Sequence, residues 1–125
     1  MWKLFMGMGS ISAFLSVAIG AFGAHALKDK LTANDMLDVY HTGVQYQMYH
    51  SLGLIVIALV MNKLGQSTLL TWSGWSMLVG IILFSGSLYV LSISGVKWLG
   101  AITPLGGVGF LAAWLLLAVA AFKAS

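Results

Sequence analysis

The side chains able to do chemistry gather in one stretch of this chain. His41, Gln45, Tyr46, Gln47, Tyr49 and His50 lie between 41 and 50, downstream of Asp35 and Asp38. His25 is the third histidine, and Ser85, Ser87, Tyr89 and Thr103 supply hydroxyls further on. Three chemistries suit such residues. Metal or haem ligation would use the histidines, but a helical metal pair needs them at i, i+4. His41 lies nine residues before His50, half a turn out of phase. His25 and His41 would end up at one interface, where a third ligand has to come from Asp35 or Asp38. No metal site is assigned. Catalysis fares worse: there is no Gly-x-Ser-x-Gly elbow, and the only carboxylates are three aspartates confined to 29–38. No catalytic residue is expected and the chain reads as a non-enzyme. The third chemistry is hydrogen bonding, either as a network that fixes helix packing or as a polar pocket for a lipid headgroup, quinone or small solute.

The elements that must position these residues are membrane helices. The chain has 125 residues, 60% of them hydrophobic and 7% charged, against about 25% charged in soluble domains. Its six lysines and three aspartates all lie outside four long apolar runs. A span needs about 20 apolar residues at about 1.5 Å each to cross a hydrocarbon core of about 30 Å. The runs do not alternate in polarity as a barrel's strands would. The fold class expected is therefore all-α, an integral membrane four-helix bundle forming one domain over 1–125, with spans at about 4–26, 41–61, 69–91 and 104–123. A signal-peptide reading of the first run, with Ala24-His25-Ala26 as its cleavage pattern, is set aside because the run is long enough to span.

The connector at 27–40 reads as polar and partly helical. Thr32 looks like an N-cap, with Asp35 in the first turn, and the helix is expected to run unbroken into span two. The strongly apolar part of that span, 52–61, is too short to cross alone, so the polar residues from His41 onward must lie at membrane depth. Thr103-Pro104 reads as N-cap and first helical position of span four; the alternative is a longer helix from Trp98, kinked at Pro104.

Two stripes run along span two. Gly43, Tyr46, Gln47 and His50 share one face, while Asp35, Asp38, Thr42, Gln45 and Tyr49 form a steeper second one. Polar groups facing lipid are costly, so these should face the bundle and pair with Ser85, Ser87, Tyr89 or Thr103. Packing between helices is expected through small residues: Gly20, Gly23 and Ala24 in span one, Gly80 and Gly86 in span three, Gly106, Gly107, Gly109 and Ala113 in span four. These glycines form no phosphate loop, since no Gly-Lys-Ser/Thr follows them.

Four strings carry a resemblance: Gly20-Ala-Phe-Gly-Ala-His-Ala-Leu-Lys28, Tyr46-Gln-Met-Tyr-His-Ser-Leu52, Leu83-Phe-Ser-Gly-Ser-Leu-Tyr89 and Gly100-Ala-Ile-Thr-Pro-Leu-Gly-Gly107. Together they resemble the domain of unknown function 423 family, small uncharacterised bacterial inner-membrane proteins with eukaryotic relatives. The resemblance implies a four-helix, multi-pass cell-membrane protein and transfers no activity. It also implies that His25, Tyr49, His50, Ser85, Ser87 and Pro104 belong to the family pattern.

The net charge of +3 comes from single lysines at membrane boundaries. That distribution suits lipid headgroups and excludes nucleic acid, which needs a basic face. Without cysteine there is no disulfide or thiolate chemistry. Lys3, Lys63 and Lys123 fall on the side of the termini, and Lys28, Lys30 and Lys97 on the other. That tie leaves the aspartates to favour cytoplasmic termini. The expected protein is an accessory, structural or lipid- or small-ligand-binding bundle in the bacterial inner membrane, with the bilayer and a homo-oligomer as partners. No cofactor is expected, though quinone, lipid and metal stay open. The alternative is a small oligomeric channel or transporter working through the polar cluster of span two. No carboxylate lies within a span to drive proton exchange.

Overall fold

A computed structural model describes residues 1–124. It contains α1 (Trp2–Ala24), α2 (Lys28–Ala33), α3 (Leu37–Leu64), α4 (Thr68–Ser94), a 3-10 turn (Lys97–Ala101) and α5 (Thr103–Lys123), with no strand among the described residues. Four of these helical segments are long and apolar enough to cross a membrane: α1, α3, α4, and α5 together with its 3-10 turn. At 28 residues, α3 is about 42 Å long, more than the hydrocarbon core of about 30 Å requires.

Local chemistry sets the helix ends. Ser67 caps α4 by accepting from the Leu70 N–H at 3.2 Å. Gly65, at φ 88° and ψ 161°, ends α3 in a conformation open essentially to glycine alone. The connector between α1 and α3 departs from the expected unbroken helix. Thr32 sits in the last turn of α2, not at an N-cap, and Asp35 takes a left-handed φ of 56°. The Met36 N–H donates to Leu31 O at 2.9 Å and the Asp35 N–H to Thr32 O at 3.1 Å. These two bonds satisfy the last carbonyls of α2 in a Schellman turn, which aspartate tolerates better than most residues. The chain then re-enters helix at Leu37. Thr103 also departs from its expected role. It is the first residue of α5 rather than its cap, Pro104 follows in the first turn, and the 3-10 turn leads in without a kinked long helix.

The middle pair is α3 and α4, with 44% and 39% of their most apolar windows buried, against 22% for each of the other two spans. Helix α1 packs along α3, and α5 packs along α4. The backbones of α1 and α4 stay apart, as do those of α3 and α5, leaving two lateral grooves. The apolar core lies in the half of the bundle nearer the termini, around Phe5, Leu54, Ile57, Met61, Leu70 and Met77.

Aromatic rings seated on glycines join the helices. A Cβ at Gly23 would run into the Tyr40 ring, one at Gly43 into Tyr89, at Gly53 into Trp114, at Gly74 into Phe5 and at Gly80 into Phe110. Direct backbone approach occurs at Gly9, whose Cβ would lie 2.9 Å from Ser51 O, and at Gly109, 3.1 Å from Ser76 O. Gly106 abuts the Phe84 backbone, Gly20 faces Val44, and Ala113 is fully buried. The expected small-residue contacts fail at three places. Ala24 is exposed, and Gly86 and Gly107 face open space. Gly20 and Ala24 differ because the face of α1 that meets α3 runs through Gly20 and Gly23, and Ala24 lies about 100° round the helix from Gly23. Gly86 and Gly107 differ because they line the grooves instead of the helix seams.

Candidate functional site

The polar residues of α3 divide between its neighbours. Gln47 turns toward α1 and α4. Its Nε2 donates to Ser12 O at 2.9 Å, and its Oε1 accepts from the Tyr89 hydroxyl at 2.5 Å. Ser51 Oγ donates to Gln47 O at 2.5 Å and lies 2.6 Å from Ser12 Oγ. Along the same seam Ser16 donates to Val44 O at 3.0 Å, Tyr40 to Ile19 O at 2.5 Å and Ser85 to Gly43 O at 2.7 Å. Both ends of the Gln47 amide are thus occupied. Such bonds between helices in membranes contribute roughly 0.6 kcal/mol on average. Ser12 and Ser16, missed as site residues from the sequence, carry a readable signal: hydroxyls four apart, on one face of the span, with Ser10 off that face and exposed.

Ser87 and Thr103 form a separate pair. Ser87 Oγ donates to Phe84 O at 2.9 Å, so the Thr103 hydroxyl, 2.6 Å away, donates to Ser87. This contact takes the hydroxyl that an N-cap would have used, and ties the start of α5 to α4.

His50 turns the other way, toward α5. Its ring stacks on Phe110 with centroids 3.5 Å apart and planes 10° apart. The Tyr46 ring lies 5.9 Å away at 17°, and Trp114 5.8 Å away. Nδ1 is 2.7 Å from Tyr46 O. A carbonyl only accepts, so Nδ1 carries the proton and the neutral ring keeps its lone pair on Nε2. Nε2 has no partner among the described residues, although His50 is only 7% exposed. No fully enclosed side-chain N or O lacks a partner among those residues, so Nε2 must reach the surface of the adjoining groove.

Two grooves open sideways from these clusters. The α1–α4 groove, of about 450 Å³, has walls from Met8, Ile11, Leu15, Leu78 and Ile82 and a floor of Ser12, Gln47, Ser85 and Tyr89. The α3–α5 groove, of about 370 Å³, is lined by Tyr46, His50, Phe84, Phe110, Trp114, Pro104 and Gly107 among others.

The expectation that the whole cluster faces the bundle needs correcting. Gln45 and Tyr49 are exposed, Tyr49 by 56%. They lie on the side of α3 away from its partners. Tyr46 is 38% exposed at the rim of the α3–α5 groove. His25 is exposed at the end of α1 and His41 is half-buried beside Tyr40. Among the described residues no three His, Asp or Glu side chains converge as metal ligands would.

Comparison with known proteins places this fold in company. The family model described as "Protein of unknown function (DUF423)" matches residues 19–107. The UPF0382 membrane protein YwdK of Bacillus subtilis is 53% identical over 121 residues, 97% of this chain and 98% of that protein. The UPF0382 membrane protein SH2409 of Staphylococcus haemolyticus is 45% identical over 121 residues, 97% of each. No solved structure matches.

Proposed function

Because this chain belongs to the DUF423 family of membrane proteins, its role must be sought within the bilayer, and we propose that it is a non-enzymatic bundle that holds a lipid acyl chain in the α1–α4 groove. One observation carries this reading: the groove has aliphatic walls and a polar floor whose groups are already hydrogen-bonded within the protein. An occupant there gains by filling space and needs no hydrogen bond, which describes an acyl chain and not a polar solute. The groove opens sideways to lipid, so loading needs no passage through the bundle. The setting we propose is the bacterial inner membrane with cytoplasmic termini, in an oligomer of like chains.

A conducting role has less support. Buried polar side chains cluster in the half away from the termini, and the other half is apolar core, with Ser73 bonded to Ala113 O at 2.6 Å. A polar line from face to face would have to form between subunits.

Native mass spectrometry from lipid nanodiscs tests the reading. Wild type should retain one phospholipid per chain. Gly86→Leu should release it, since a side chain at Gly86 enters open space in the groove. A wild-type protein that flies lipid-free, or equal retention by the variant, would reject acyl-chain binding there.

A further inference from the structure

His50 presents a different problem from Gln47. It is a polar side chain more than nine-tenths buried, its tautomer set by the bond to Tyr46 O, and its one remaining acceptor opens on the α3–α5 groove with nothing bonded to it. A lone pair held at membrane depth without a donor is costly, and lipid tails offer none. The surroundings narrow what could supply the donor. The rings of Tyr46, His50 and Phe110 are within 27° of parallel to one another. Phe84 stacks on Tyr46 at 4.5 Å. The imidazole lone pair lies in its own ring plane, so a donor must approach within this layered slot. A flat ring whose own O–H lies in its plane can enter edge-on, parallel to the rings already there, and meet that lone pair. The volume, about 370 Å³, is of the size of small-molecule sites. The lining side chains offer three hydrogen-bonding groups at the groove: this acceptor, the Tyr46 hydroxyl and the Trp114 indole N–H, the last two without a partner among the described residues.

We propose that the α3–α5 groove binds a lipid-soluble hydroxylated aromatic ring of the hydroquinone class, whose O–H donates to His50 Nε2. A metal ion would find a single imidazole and no converging second and third ligand among the described residues. An acyl chain would leave Nε2 unsatisfied. The site is separate from the α1–α4 groove, so it stands or falls independently of acyl-chain binding there.

The test uses the full chain in nanodiscs and reads quenching of Trp114, which lines the groove. The probes are 1,4-naphthohydroquinone, kept reduced under anaerobic conditions, and its dimethyl ether, which has the same ring and no donor. Concentrations are expressed per mole of lipid to remove partitioning, and Trp114→Phe identifies the signal. The hydroquinone should bind about tenfold more tightly than the ether, the difference one hydrogen bond makes. His50→Phe, which keeps a flat ring and removes the acceptor, should abolish that gap. Gly107→Leu fills open space in the groove and should abolish binding of both probes. Equal affinities for the two probes on wild type would overturn the proposal, and that comparison requires no variant to fold. A gap that survives in His50→Phe, or unchanged binding in Gly107→Leu, would overturn it as well.

Discussion

Gln47 and His50 sit three residues apart on one helix and play opposite parts. Gln47 is saturated: its amide bridges Ser12 on α1 and Tyr89 on α4. Removing it strands the Tyr89 hydroxyl in a medium with no water to replace the bond. We expect Gln47→Leu to cost about 1–3 kcal/mol of stability. Tyr89→Phe leaves the Gln47 oxygen unpaired and should also destabilise. The double variant removes both partners and should cost less than the sum of the two. Reversible unfolding in mixed micelles measures all three, and strict additivity would show that the bond contributes nothing to the fold. His50 carries no such structural load through Nε2. The sequence made its depth legible, but not its isolation, because isolation depends on which donors the neighbouring helices happen to bring.

Helices in this bundle meet as rings on glycines, which gives the glycines opposite signs by position. In a helix interior, replacing glycine by alanine ordinarily stabilises by about 0.5–1 kcal/mol. Gly86 and Gly107 have open space where the methyl would go, so Gly86→Ala and Gly107→Ala should follow that rule. At Gly74 the methyl would occupy the Phe5 ring, and at Gly23 the Tyr40 ring. Both rings are within 2% of full burial, and Tyr40 is further held by its bond to Ile19 O. Gly74→Ala and Gly23→Ala should therefore lose about 1–3 kcal/mol by overpacking. Thermal unfolding in one detergent ranks the four variants, and a uniform sign would refute ring-on-glycine packing. Spacing of small residues marked some of these positions and missed Gly53 and Gly74. The reason is physical: a small residue is informative only together with the large one that enters its space, and that ring comes from another helix. The turn at Asp35 escaped for a related reason. Thr32 and Asp35 have the composition of a helix start, yet the carbonyls at the end of α2 compete for the same N–H groups and win.

Across the whole molecule, the surface is that of a membrane protein: Phe122 is 90% exposed, Leu111 72% and Phe14 71%. Such a surface is stable only in lipid. Three lysines on each side leave orientation finely balanced. Lys28→Gln with Lys30→Gln removes two of the three charges opposite the termini and should raise the share of chains with termini inside. The chain has no cysteine, so Ala124→Cys gives a single reporter for a membrane-impermeant maleimide. Labelling from outside should fall in the double variant, and a rise would show that lysine balance does not govern insertion. Long charge-free runs determine that the chain has four helices able to span, because transferring charge or unsatisfied backbone into hydrocarbon is prohibitive whatever the packing. Helical periodicity further gives the phase of each side chain around its own axis. It says nothing of which neighbour stands at that phase. Gln47 and His50 differ by about 60° around α3, and that small angle sends one to partners on α1 and α4 and the other to an aromatic groove against α5 with its acceptor unmet. Only the assembled bundle, by setting α1 on one side of the central pair and α5 on the other, turned a single polar stripe into a closed network and an open site.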